Sequence, residues 1–199
     1  MNYLAHLYLA DDDPESLIGS LLGDFARGRI DDALPAAVRW GVVMHRRIDA
    51  YTDAHAVFRR SKRRIRPEFR RYAGILVDVY YDHFLASRWA DYSGVPLEAF
   101  ASEVYRTLQQ HRHSFPPPMQ RSMAYMVGNQ LLQSYRSIDG IRRSLQGIEG
   151  RLKRPSRLRD AVADLEQNYQ ALGHDFEAFF PDLVAYVARQ EGPGDDAPL

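Results

Sequence analysis

Apolar residues recur at every third or fourth position through most of this chain, the spacing that places side chains on one face of an α-helix. Runs of alternating apolar and polar residues bounded by turns, which would indicate half-buried strands, are missing. Glycine and proline lie mostly between the periodic segments, and Pro14, Pro35 and Pro96 suit the first turns of helices, where a missing N–H costs nothing. The sequence therefore predicts an all-α helical bundle.

The chain of 199 residues has the length of one domain, and no internal repeat or interdomain linker divides it. We therefore expect a single domain over residues 1–190 and a disordered tail over residues 191–199, EGPGDDAPL. The predicted helices span residues 3–9, 15–28, 35–54, 55–65, 68–91, 97–112, 118–136, 138–148, 156–172 and 175–190.

The composition limits the chemistry and the compartment. The chain has no cysteine, so a metal would be held by His, Asp or Glu, ligands that suit Mn²⁺, Mg²⁺, Fe²⁺ or Zn²⁺. Its 26 basic and 26 acidic residues give a net charge of zero, which argues against a protein that coats nucleic acid. No apolar segment approaches the ~20 residues of a membrane span, and no signal peptide is recognisable, so we expect a cytoplasmic protein.

Two predicted helices carry acids and a histidine on faces that should look inward. In one of them, Asp49 falls about 40° from His45 at about 100° per residue, on the apolar face that carries Val38. In the other, Asp78 and Asp82 lie one turn apart on an apolar stripe. Neighbouring carboxylates in an apolar interior repel each other and are costly to desolvate, unless an arginine or a divalent ion compensates them.

A metal centre would explain these acids. Asp24 adds a third acid-bearing segment, because it ends the apolar run over residues 21–23. The alternative is that each acid or histidine is a hydrogen-bonded core residue. A divalent ion in such a centre activates water and offsets charge on phosphoryl oxygens, which favours hydrolysis of a phosphomonoester or phosphodiester.

The most distinctive motifs lie in the N-terminal half. They are MNYLAHLYLA at residues 1–10, LLGDF at 21–25, HRRIDAYTDAH at 45–55 and DVYYDHFLA at 78–86. Together they resemble the acyl carrier protein phosphodiesterase family, with a likeness that covers nearly the whole chain. The combination of HRRID, TDAH and DHFLA is specific.

The resemblance implies an all-helical, HD-like phosphodiesterase that uses a divalent metal, commonly manganese in this family. It also implies holo-acyl carrier protein as the substrate, with apo-carrier and free 4′-phosphopantetheine as the products. HD proteins surround the metal with a His, an adjacent His-Asp pair and a further Asp, whereas the adjacent pair here runs Asp-His. The predicted metal ligands are Asp24, His45, Asp78, Asp82 and His83.

Further residues complete the predicted site. Arg46 would hold the phosphate bidentately, the alternative being a surface ion pair. Asp49 would be a ligand or the acceptor that orients a ligand histidine, and Asp53 is a further catalytic candidate. His6 and His55 are candidates for a second cluster. The alternatives are a packed core histidine for His6 and a helix cap or an exposed residue for His55.

A dense basic run covers residues 59–71 of this neutral chain. Because acyl carrier proteins are acidic, such a local patch suits the docking of the carrier. A solvated helix face is the alternative. The predicted docking residues are Arg59, Arg60, Arg63, Arg64 and Arg66.

Two other functions stay open at this stage. The same fold and metal would serve a phosphohydrolase that acts on nucleotides, although the chain has no glycine-rich phosphate loop. A helical module without catalysis would use the basic run to bind an acidic protein or RNA, and RNA binding would weaken steeply with salt. The resemblance favours the carrier protein as partner, with neither nucleic acid nor membrane.

Overall fold

The computed structural model describes residues 1–152, 156–190 and 192, and the regular structure in these residues is helical throughout. The prediction of an all-α fold is confirmed. The predicted tail over residues 191–199 lies outside the described residues, apart from Gly192. The α-helices are α1 (Tyr3–Tyr8), α2 (Pro14–Leu22), α3 (Ala36–Ala54), α4 (Ala56–Arg63), α5 (Ala73–Ser87), α6 (Leu97–Gln110), α7 (Pro117–Gly128), α8 (Leu131–Ser134), α9 (Ile138–Glu149), α10 (Val162–Gln167) and α11 (Tyr169–Ala188). Shorter 3₁₀ turns cover Pro67–Tyr72, Trp89–Asp91, Arg112–Ser114 and Leu158–Ala161.

Helix α5 lies at the centre of the core because it is apolar on nearly every side. Helices α1, α4, α9 and α11 pack against it. Its fully buried side chains include Leu76, Val77, Tyr80, Tyr81, Phe84 and Leu85. Burial of an aliphatic or aromatic side chain stabilises a fold by roughly 1.5–3 kcal/mol, so α5 holds together the elements that surround it.

Helices α2 and α3 cross at close range because glycines lie at the crossing. A Cβ atom at Gly19 would lie 2.1 Å from a backbone oxygen of α3, and one at Gly41 would lie 2.4 Å from a backbone oxygen of α2. A larger residue at either position would force the helices apart. The same close approach brings Gly23, at the end of α2, against the side chain of His45.

Two predicted helices were wrong because they included a residue in a left-handed conformation. The helix predicted over residues 15–28 ends at Leu22, and the chain then turns through Gly28, whose φ is +73°. The helix predicted over residues 118–136 breaks at Gln130, whose φ is 46°. A right-handed helix does not contain such residues.

Two other predicted helix boundaries also differ from the structure. The helix predicted over residues 68–91 is α5 with a 3₁₀ turn at each end. The last two predicted helices meet earlier than expected, because α11 begins at Tyr169 and continues through Gly173 and Pro181. Gly173 lets α11 approach α5, since a Cβ atom there would lie 3.3 Å from the ring of Phe84.

Candidate metal centre

The position of α1 depends on a buried carboxylate of α5. Asp82 is fully buried and accepts hydrogen bonds from the backbone N–H groups of Leu4 and Ala5, at 2.8 and 3.1 Å. N–H groups in the first turn of a helix have no partner within the helix itself. Burial raises the pKa of Asp82 to about 7, although these N–H groups act to lower it. Both carboxylate oxygens thus serve the backbone, and Asp82 anchors the helix that carries His6.

His6 and His45 lie together although different helices carry them. Their rings stack, with centroids 4.0 Å apart and planes inclined by 15°. Nε2 of His6 lies 3.1 Å from Oδ1 of Asp49, and Nε2 of His45 lies 3.3 Å from Oδ2 of the same carboxylate. Among the described residues, these three form a group whose potential ligand atoms all lie within 4.8 Å of one another.

The surroundings hold His6 and Asp49 in the charge states that metal ligands need. Burial lowers the pKa of His6 to about 3, so its imidazole is neutral at pH 7. Burial alone would raise the pKa of Asp49, but hydrogen bonds from His45 and His6 outweigh it, and the pKa falls below its usual range. Metal ions bind neutral imidazole and ionised carboxylate.

Two more carboxylates lie beside this trio. Oδ1 of Asp24 is 3.6 Å from Nε2 of His45. The α-ammonium group of Met1 lies 3.1 Å from Oδ1 of Asp49 and 3.2 Å from Oδ1 of Asp78. Burial disfavours the ammonium form, but the two carboxylates outweigh it and raise the pKa of this amine to about 11. A positive charge is therefore stabilised between the acids of α3 and α5.

The side chains of Asp24 and Asp78 are partly exposed within the concave site. The exposed fraction of the side chain is 45% for Asp24 and 23% for Asp78. Burial within the concave site nevertheless raises the pKa of both carboxyl groups. A cation beside them would favour their ionised forms.

The residues fit a divalent ion. Nδ1 of His6 and Nδ1 of His45 are buried and have no hydrogen-bond partner among the described residues. The contacts from His6 to Asp49, from Asp49 to His45 and from His45 to Asp24 are 3.1, 3.3 and 3.6 Å long, although Asp24 lies outside the group of three whose ligand atoms are all close to one another. Neighbouring ligands around an ion with bonds of ~2.1 Å have a similar spacing, and nitrogen and carboxylate ligands suit Mn²⁺, Mg²⁺, Fe²⁺ or Zn²⁺.

A cleft of about 320 Å³ opens beside the cluster. This volume lies at the lower end of the range for small-molecule sites, ~300–1,000 Å³. Carboxylates, hydroxyl groups and one guanidinium contribute to its lining, and the polar lining residues include Tyr3, Asp24, Asp78, Ser122, Tyr125 and Arg151.

His83 and Asp53 are not brought to the cluster. The ring nitrogens of His83 lie 2.8 Å from the carbonyl oxygen of Tyr135 and 3.0 Å from the hydroxyl of Tyr169. Asp53 is exposed and pairs with Lys62 at 3.0 Å. Successive residues of a helix point about 100° apart, which is why His83 faces away from the site. The structure does not support His83 as a ligand.

His55 and Arg46 interact with the backbone. Nδ1 of His55 accepts a hydrogen bond from the N–H of Val57 at 3.3 Å and so caps α4. Nη2 of Arg46 donates to the carbonyl oxygens of Ala26 and Gly28 at 3.0 and 2.9 Å. The predicted cluster of His6 and His55 is therefore not formed, and Arg46 holds the loop after α2 instead of facing the cleft.

Most of the predicted docking arginines form internal ion pairs. Arg60 and Arg64 bind the buried carboxylate of Asp175, at 2.6 and 3.0 Å. Arg66 binds the buried carboxylate of Asp164. A buried carboxylate needs such partners to offset its desolvation, so these pairs tie the end of α4 to α10 and α11. Arg59, Arg60 and Arg63 are exposed, and of these only Arg60 forms an ion pair within the described residues.

The sequence did not predict the residues at the end of α9 that line the cleft. Ser144, Ile148 and Arg151 line the cleft and follow the i, i+4, i+7 spacing of one helix face. That spacing was the available signal, but it did not show that α9 would face Asp24.

Comparison with known sequences shows the family to which the chain belongs. The family model described as acyl carrier protein phosphodiesterase matches residues 1–183. The chain belongs to this family. Proteins named acyl carrier protein phosphodiesterase from Enterobacter sp. (strain 638) and Klebsiella pneumoniae are each 38% identical over 192 residues, which cover 96% of this chain and 100% of the relative. One from Salmonella paratyphi A is 39% identical over 191 residues, 96% of this chain and 99% of the relative.

The resemblance inferred from the motifs is thereby confirmed. No solved structure matches the chain, so the HD-like architecture stays a prediction. Within the described residues, every helix is too short or too polar to cross a membrane.

Proposed function

We propose that the protein hydrolyses the phosphodiester that joins 4′-phosphopantetheine to the serine of holo-acyl carrier protein. The observation that carries this proposal is the convergence of His6, His45 and Asp49 beside a cleft, in a chain that belongs to the acyl carrier protein phosphodiesterase family. Relatives of nearly the same length bear the name of that activity.

A divalent ion, Mn²⁺ according to the family resemblance, is held in this proposal by His6, His45 and Asp49, with Asp24 alongside. Bound there, it would lower the pKa of a water molecule and offset negative charge on the phosphoryl oxygens. Burial keeps His6 neutral, and Asp82 fixes α1 so that both imidazoles present Nε2 to the same carboxylate.

The reaction adds one water molecule across the P–O bond to the serine of the carrier. The water oxygen becomes a phosphate oxygen, the serine oxygen takes up a proton, and the products are apo-carrier and the phosphomonoester of the free arm. Asp24 lines the cleft and lies 3.6 Å from Nε2 of His45, so we assign it a place beside the ion. The hydroxyl groups of the cleft suit the amides and hydroxyl of the arm.

Incubation of the purified protein with holo-acyl carrier protein, with and without Mn²⁺, tests this proposal. We expect a Mn²⁺-dependent decrease in the intact mass of the carrier that equals loss of the arm. His45→Ala and Asp49→Ala should lose both this activity and the bound metal measured by elemental analysis. His113→Ala is a matched control, because His113 is an exposed residue of a 3₁₀ turn that lines a different cavity.

A carrier whose mass stays unchanged beside metal-loaded protein would refute the hydrolase proposal. Nucleotides offered in parallel separate the alternative, because their hydrolysis in place of the carrier would indicate a nucleotide phosphohydrolase.

A further inference from the structure

The cleft contains a positive charge that the metal centre does not explain. Arg151 follows the last turn of α9 and is the one arginine among the described residues that line this cleft. Its Nε donates to the carbonyl oxygen of Gly147 at 3.2 Å. Within the described part of the chain, its guanidinium forms no ion pair with a carboxylate, and the hydroxyl group of Tyr3 lies near it.

The guanidinium of Arg151 lies within electrostatic reach of the candidate metal centre. Arg151 and Asp24 line the same cleft, and Oδ1 of Asp24 lies 3.6 Å from Nε2 of His45. Burial and the charge of Asp24 raise the pKa of the Tyr3 phenol, while Arg151 and Ser122 act to lower it. Arg151, Tyr3 and Asp24 thus border the same part of the cleft.

Hydroxyl groups accompany this guanidinium. The hydroxyl of Tyr125 lies beside the end of α9, since a Cβ atom at Gly147 would be 3.0 Å from it. The side chains of Tyr3 and Ser122 line the same cleft. A planar guanidinium binds two phosphate oxygens at once, and neighbouring hydroxyl groups donate to the others.

The carboxylates in and beside the cleft oppose the binding of an anion unless cations offset them. Asp24 and Asp78 line it, and the ionised carboxylate of Asp49 lies close by. A phosphodiester is an anion, and charges of the same sign a few ångströms apart disfavour binding. The other arginine predicted to hold phosphate, Arg46, donates to backbone carbonyls. Among the described residues that line the cleft, Arg151 is therefore the arginine placed to attract the phosphate, in addition to the α-ammonium group of Met1 and a bound divalent ion.

We propose that Arg151, with the hydroxyls of Tyr3 and Tyr125, forms a phosphate subsite that holds the diester before hydrolysis and the monoester afterwards. This inference rests on the proposed function, since it names the group that binds the phosphate of the same substrate. A phosphomonoester carries a charge of about −1.5 to −2 at pH 7, so the released arm binds this subsite at least as tightly as the diester does. Pantetheine, which lacks the phosphate, gains nothing from Arg151.

Calorimetric titration of the metal-free protein with 4′-phosphopantetheine, and separately with pantetheine, tests the subsite. We expect Arg151→Ala to weaken the binding of 4′-phosphopantetheine roughly 10- to 100-fold, the range of a lost charge-assisted bidentate contact. Arg151→Lys should bind with intermediate affinity, because lysine keeps the charge but not the planar fork. Pantetheine binding should be the same in all variants.

Arg143→Ala is the matched control, because Arg143 is exposed on α9 and does not line the cleft. It should bind 4′-phosphopantetheine like the wild type. Circular dichroism melting verifies the fold of each variant, and Arg151→Gln, which keeps much of the aliphatic stem, repeats the test if the alanine variant melts early. In turnover, Arg151→Ala should raise KM for holo-carrier more than it lowers kcat.

Equal affinity of Arg151→Ala and wild type for 4′-phosphopantetheine would overturn the subsite. So would the absence of binding by the wild type, or equal losses in Arg151→Ala and Arg143→Ala, which would indicate only general attraction. Failure of the hydrolase proposal is distinguishable. A wild-type protein that binds 4′-phosphopantetheine through Arg151 but leaves the mass of holo-carrier unchanged keeps the subsite and refutes the reaction.

Discussion

Replacement of Gly23 by alanine is expected to disable the candidate metal centre while the protein stays folded. Gly23 has φ −50° and ψ −37°, a right-handed conformation that alanine adopts without strain. The added Cβ atom would lie 2.3 Å from Cγ and 2.6 Å from Cβ of His45, whereas ordinary contacts begin at 3.4 Å. Because the Cβ atom of His45 is fixed to the backbone, rotation of the imidazole ring cannot relieve both contacts.

The end of α2 and α3 must therefore separate by about 1 Å, since close-packed groups have no free space to absorb the methyl group. Such overpacking costs roughly 1–3 kcal/mol, less than the ~5–15 kcal/mol that stabilises a typical domain. Displacement of a catalytic group by ~1 Å costs on the order of 100-fold in rate. Nε2 of His45 lies 3.3 Å from Asp49 and 3.6 Å from Asp24, so the same shift disturbs both contacts.

Three measurements on Gly23→Ala test this reasoning. Circular dichroism should show a folded protein whose Tm is lower by roughly 2–12 °C, as expected for that loss of stability in a domain of this size. Elemental analysis should show reduced metal, and intact-mass analysis should show carrier hydrolysis reduced on the order of 100-fold. Gly128→Ala is the control, because a Cβ atom there meets nothing within 4 Å. Wild-type metal content and turnover in Gly23→Ala would refute the reasoning.

Four other perturbations separate structural from functional roles. His83→Ala should lower the free energy of unfolding by about 1–3 kcal/mol, because it breaks one buried and one partly buried hydrogen bond, but leave the metal content unchanged. Asp82→Asn leaves one backbone N–H of α1 without an acceptor, so it should cost about 1–3 kcal/mol and weaken metal binding through His6. Asp175→Asn should lower the free energy of unfolding in urea by about 1 kcal/mol without affecting turnover, because the two arginines it pairs with are partly exposed. The pKa of His6 is about 3 in the folded protein and 6.5 in the unfolded chain. Between these values only the unfolded chain protonates the imidazole, so the free energy of unfolding should be highest above pH 6.5 and should fall by up to ~1.4 kcal/mol per pH unit as the pH decreases toward 3.

A different result would contradict each of these predictions. Loss of metal in His83→Ala would place that imidazole in the centre. Full metal affinity in Asp82→Asn would show that α1 does not need this cap. Loss of turnover in Asp175→Asn would connect the ion pairs of α4 with the reaction. For the pH dependence, urea unfolding of the metal-free wild type and of His6→Gln should diverge below pH 6.5, and parallel curves would contradict the shift.

The fold class and the inward-facing acids followed from the sequence alone. The spacing of apolar residues is local information, so it predicted helices and placed His45 and Asp49 on one face of α3 without reference to any neighbour. The same spacing placed Asp78 and Asp82 on the inner side of α5. The motifs at residues 45–55 and 78–86 predicted the family, which the comparison confirmed.

Only the tertiary structure decided which of these groups meet. Asp82 caps α1 and His83 binds Tyr135 and Tyr169, although the helical positions of both had suggested ligands. His6, an uncertain candidate in the sequence, stacks on His45 because Asp82 anchors α1 against α5. Periodicity shows which face of a helix is buried, but the neighbour that covers this face depends on contacts between segments that are distant in the chain. This is why the ligands predicted from the sequence differ from the cluster found in the structure.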